Sequence, residues 1–86
     1  MSHLENAKNF DCPAFYYSYI STRTYYKTIT LAKHILKHCL NIPTSSPQYA
    51  SALNSISHQI GQLTREMVKS GRITHYNSKT YKTTPD

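Results

Sequence analysis

SISHQIGQLTREMVKSGRITHYNSKTYKTT, residues Ser55 to Thr84, holds more structural information than any other stretch of this chain. Ile60, Leu63 and Met67 recur at spacings of three and four, with Val68 alongside, so the stretch begins as an amphipathic helix over residues 57–70. His58, Gln62, Arg65 and Lys69 repeat at similar spacings on another face. Gly71 supplies the left-handed position that commonly closes a helix. Two strand-like runs follow, Arg72–Tyr76 and Thr80–Thr84, around a turn at Asn77-Ser78-Lys79. A three-residue turn there pairs Tyr76 with Thr80, His75 with Tyr81 and Ile73 with Thr83. That register places Ile73 and Tyr81 on one inward face.

Upstream of this stretch, the spacing of Ile29, Ala32, Leu36, Cys39 and Leu40, with Ile35, predicts a helix from Thr24 to Leu40. Pro43 ends it by pushing Ile42 out of helical geometry. Ser46-Pro47 is a start signal, an N-cap followed by a first-turn proline, for a short helix through Leu53. Asn54-Ser55 is read as a break before the next helix. Ala14–Tyr26 is rich in tyrosine and fits either a short strand or a helical turn; its rings are expected to pack on the core or on a second copy. Residues 1–13 read as an arm or a short irregular helix, with Pro13 ending any helix before it. The expected fold class is mainly α with a small C-terminal β-hairpin, as a Tyr-rich arm over 1–23 and a compact domain over 24–86. Ile29, Ala32, Leu36, Leu40, Leu53, Ile60, Leu63, Met67 and Ile73 are expected to share its core.

The 86 residues make one domain with a small core. Its net charge of +6 is unevenly spread. From Arg23 to Thr84 there are nine Lys or Arg and one acid, Glu66. A field of this sign suits a polyanion: DNA, RNA or an acidic protein surface. Cys12 and Cys39 do not make a disulfide framework, no run is long and apolar enough to span a bilayer, and MSHLENAKNFDC lacks the regions of a secretory signal. The expected location is cytoplasmic, nucleoid-associated if DNA is the partner. His34 and His38 lie four apart, but no second pair has metal-site spacing, so no metal or cofactor is expected. Nor is an enzyme. The chain has no paired-carboxylate motif, no phosphate-cradling glycine loop and no nucleophile elbow.

Residues 30–84 resemble winged helix-turn-helix DNA-binding domains, on the pattern TLAKHILKHCL, SPQYASALN, ISHQIGQLTREMVKSGRI and THYNSKTYKTT. The resemblance implies a small transcriptional regulator of phage or plasmid type, bound to double-stranded DNA. It assigns helix 57–70 to the major groove, with Gln59, Gln62 and Arg65 at base edges and His58 and Lys69 on the same surface. Arg72, His75, Lys79 and Lys82 of hairpin 72–84 would meet the backbone or minor groove. NIPTSS has no strand-forming run, so the additional strand of many such domains is expected to be missing or replaced by Phe15–Ile20. The Tyr-rich segment could also mediate a homodimer. The alternatives are an interaction protein or inhibitor whose basic face binds an acidic partner, and an RNA binder that stacks bases on Tyr16, Tyr17 and Tyr19.

Overall fold

The longest element of the computed structural model, which describes residues 2–83, is a helix built on a stripe of small and β-branched side chains. Ala52, Ile56, Ile60, Thr64 and Met67 are its buried residues, at spacings of four, four, four and three. The helix runs unbroken from Tyr49 to Lys69, so the expected break at Asn54-Ser55 does not occur. Asn54 is exposed and Ser55 half-buried. Their poor helix propensity is a small cost beside a buried face that continues past them. The start also moves. Ser46 Oγ accepts the Gln48 N–H at 3.2 Å within a turn, and the helix begins after Gln48.

Its other end follows from Gly71. With φ at +79°, Gly71 lets its own N–H reach the Val68 carbonyl at 3.1 Å and lets the Arg72 N–H reach Met67 at 3.0 Å. These are the paired bonds of a Schellman cap, and they turn the chain directly into the hairpin.

In chain order the elements are α1 (His3–Asn9), α2 (Cys12–Ser21), β1 (Tyr25–Tyr26), α3 (Thr28–His34), α4 (Tyr49–Lys69), β2 (Ile73–His75) and β3 (Tyr81–Thr83). The chain is thus mainly helical, with a small antiparallel sheet of strand order β1-β3-β2. Residues 35–39 continue α3 as a π-helical turn. Leu40 N–H then bonds to the Ile35 carbonyl, and Ile42 N–H reaches back to Leu36 at 2.8 Å. Asn41 takes φ +55°, a conformation that Asn tolerates better than most residues, and Ile42 turns inward to be buried.

The N-terminal third corrects the arm reading. α1 and α2 both pack on α4, and Ala7, Cys12, Tyr16 and Ile20 belong to the core. Ser2 caps α1 by accepting the Glu5 N–H. Asp11 caps α2 through the Ala14 N–H, and Pro13 lies in its first turn, so Pro13 starts one helix rather than merely ending another. Two glutamines hold α1: Gln48, just before α4, accepts the Leu4 N–H on Oε1 at 3.0 Å, and Gln59 of α4 donates from Nε2 to the Ala7 carbonyl at 3.3 Å. The Tyr-rich segment spends Tyr16 and Ile20 on the chain's own core and leaves Tyr17 exposed.

A third strand is present: Tyr25–Tyr26, before α3, pairs with β3 in the register Tyr25↔Lys82 and Tyr26↔Tyr81. Phe15–Ile20 is helical and supplies no strand. Because Tyr25 and Tyr26 are drawn into the sheet, the helix predicted from Thr24 starts only at Thr28. Ile29 then falls in the first turn and is 45% exposed, whereas Leu31, Ala32, Ile35 and Leu36 carry the buried face. Of the expected core, Ala32, Leu36, Ile60, Met67 and Ile73 are buried, while Leu40, Leu53 and Leu63 are half-buried and pack against it. The hairpin has the expected register, Ile73↔Thr83, Thr74↔Lys82 and His75↔Tyr81. Asn77 Oδ1 accepts the N–H groups of Lys79 and Thr80 and closes the turn. Met1 and Thr84–Asp86, the latter including the expected end of the second strand, lie outside the described residues.

Candidate nucleic-acid interface

α4 presents a polar stripe directly opposite its buried one. At 100° per residue, His58, Gln62, Arg65 and Lys69 fall within about 40° of one line along the outer face, and all four are exposed. Glu66 borders this stripe as the only acid of the helix. Gln59 is a correction. It sits at the flank beside α1, where its amide also lies 3.4 Å from Ser55 Oγ. Its side chain ties α1 to α4 and does not face outward with the others.

The hairpin contributes on the same side. His75 is exposed on β2, with its ring 4.8 Å from that of Tyr81. Lys79 is exposed in the turn, and Arg72 is exposed just after Gly71. A cleft of about 320 Å³ runs between α4 and the hairpin, lined by Thr28, Gly61, Thr64, Arg65, Val68, His75 and Tyr81. A second, of about 480 Å³, lies between the start of α3 and the hairpin turn and is lined by Lys27, Thr28, Ile29, Thr30, Ser78, Lys79 and Tyr81. Thr28 and Tyr81 line both. The clefts therefore bring together Lys27, Arg65, His75 and Lys79 from three separate segments. Sequence reading missed Lys27, Thr28 and Thr30, because it placed them inside a longer helix. The basic residue just before a Thr-Ile-Thr run was the available signal. Lys82 points elsewhere, onto the outer face of the sheet, where its Nζ lies 5.9 Å from the Tyr25 ring centroid.

A buried hydroxyl cluster fixes the sheet against α4. Tyr16 of α2, Tyr26 of β1 and Thr64 of α4 contact one another, with 2.7 Å between the two phenols and 3.1 Å from each phenol to Thr64 Oγ1. Burial pushes both phenols above their ordinary range, so they stay neutral donors. The Tyr26 ring stacks on Tyr81, which lines both clefts. Thr64 immediately precedes Arg65, so the cluster sets how the hairpin stands beside the polar stripe.

His34 and His38 are in mutual contact. Their rings are 4.6 Å apart, and His34 also lies 5.9 Å from Phe15 and 6.1 Å from Tyr19. Desolvation, then His38 and Arg23, lower the His34 pKa from its ordinary value. Among the described residues, no three His, Cys, Asp or Glu side chains are grouped to hold a metal ion. Cys12 and Cys39 are both free thiols. No helix among the described residues is long and apolar enough to cross a membrane. No family model, curated protein or solved structure matches the chain.

Proposed function

We propose that this chain is a winged helix-turn-helix protein that binds double-stranded DNA and acts as a small transcriptional regulator. α3 and α4 are the two members of the helix-turn-helix, in place of the segments 47–53 and 57–70 expected from sequence. α4 enters the major groove, which is about 12 Å wide and admits one helix. The observation that carries this reading is the exposed row His58, Gln62, Arg65 and Lys69 beside a basic hairpin. Gln62 and Arg65 are of the length and type that pair with adenine and guanine edges. Lys27, Lys69, Arg72 and Lys79 neutralise phosphates on either side. The strand order β1-β3-β2, with the hairpin directly after the long helix, supports the winged-helix assignment. The mid-helix Gly61 adds to this. A Cβ there would meet nothing within 4 Å, so no contact inside the protein requires glycine, and its place in the cleft suits close approach of a ligand.

A gel-shift screen of duplex fragments through a salt series tests the proposal. A preferred fragment should exceed random DNA by roughly 10³-fold or more near physiological salt. If no duplex is preferred, the regulator reading falls, and an acidic protein partner becomes the better account of the basic face.

A further inference from the structure

The outer face of the three-stranded sheet carries a second surface with a different chemistry. Strand alternation puts Tyr25, Thr74 and Lys82 in one row across β1, β2 and β3, on the side opposite Tyr26, Tyr81 and His75. Tyr76 follows on the same side, and its ring meets that of Tyr25 edge-on at 4.8 Å. These two tyrosines are 45% and 61% exposed. Tyr26 and Ile73, buried on the opposite face, anchor the strands to the core, so neither exposed ring is needed for it. The described acids lie elsewhere: Glu5 on α1, Asp11 between α1 and α2, and Glu66 on α4.

We propose that this face binds unpaired nucleotides, with bases stacked on Tyr25 and Tyr76 and the adjoining phosphate on Lys82. Every base has a π-face, so paired aromatic rings beside a cation take single strands with little regard to sequence. A duplex hides those faces, so this surface and the α4 stripe discriminate between different forms of nucleic acid. The inference does not depend on the duplex reading.

Labelled oligo(dT) and oligo(U), with a mixed-sequence duplex as control, are the probes, read by fluorescence anisotropy on the full chain. Replacing both tyrosines by leucine (Tyr25→Leu, Tyr76→Leu) removes the π-faces but keeps apolar bulk. It should weaken single-strand binding by about 10-fold or more, while the double phenylalanine variant should stay within about 2-fold of wild type. Duplex affinity should not move in either variant. The tighter of the two oligonucleotides identifies DNA or RNA as the source. The proposal is overturned if wild type binds neither oligonucleotide, or if the folded leucine variant binds them as wild type does. An equal loss on duplex also overturns it, as does loss of a wild-type dimer without loss of oligonucleotide affinity, which would assign the face to a second copy. Circular dichroism establishes folding, and Tyr76→Leu alone replaces the double variant if that does not fold. Arg65→Ala keeps the two readings separable: no effect on duplex binding would count against the α4 site and leave this one standing.

Discussion

Deleting one hydroxyl from the Tyr16–Tyr26–Thr64 cluster should destabilise the protein more than deleting all three. The three side chains are 0%, 4% and 3% exposed. Their three hydroxyls make three mutual contacts, so a closed ring gives each O–H an acceptor. Tyr16→Phe, Tyr26→Phe or Thr64→Val each leaves two hydroxyls and one contact, and hence one buried O–H without an acceptor. Such a stranded group costs ~1–3 kcal/mol. Any two of these substitutions still strand one donor and should cost about as much as one. The triple variant strands none and keeps nearly the same volume, so it should return to within ~1 kcal/mol of wild type. Urea midpoints at constant m measure this, and an 86-residue domain should shift by ~4–8 °C per kcal/mol in thermal melts. Additive losses, with the triple variant the least stable of the set, would refute the closed ring and the claim that it sets the hairpin beside α4.

The remaining predictions are simpler. Arg65→Ala or Gln62→Ala should weaken a preferred duplex by ~1–3 kcal/mol and relax its base preference, whereas Lys79→Ala should weaken all duplexes alike and reduce the salt slope by ~1, both read in titrations at several salt concentrations. Ile60→Ala, at a fully buried position, should cost ~2–5 kcal/mol in urea unfolding, and Leu63→Ala, which is only half-buried, should cost less. Gly61→Ala should raise stability by ~0.5–1 kcal/mol because the added methyl meets open space, and it should lower duplex affinity if a ligand backbone approaches there. Stability should also fall in alkali. Burial, then Asp11, pushes the Cys12 thiol from about 9 up to about 11, so the unfolded chain loses that proton first and stability declines across that window. Tyr16 and Tyr26 add to the loss above pH 10, and a Cys12→Ala variant should delay the onset seen by circular dichroism.

Local chemistry carried much of the C-terminal half. Gly71 ends α4 because a left-handed residue was needed there, and Asn77 closes the turn through its own side chain, so the hairpin register followed from spacing alone. The outer row His58, Gln62, Arg65 and Lys69 was equally legible, since helical periodicity sets which residues share a face. The capping signals Ser2-His3-Leu4-Glu5 and Asp11-Cys12-Pro13 are also local, since each is a side chain accepting a backbone N–H within one turn. Contacts between distant segments were beyond such reasoning. Tyr25-Tyr26 forms a strand only because β3 is there to pair with it. Asn54-Ser55 stays helical only because Ala52, Ile56 and Ile60 are buried on either side. Gln59 turns to the Ala7 carbonyl, and Thr64 becomes a core residue, because partners 52 and 48 residues away supply their hydrogen bonds. Periodicity reports which side chains share a face. Which of those faces is covered, and by what, is settled by burial and hydrogen bonding between segments far apart in the chain, and no window of neighbouring residues contains that information.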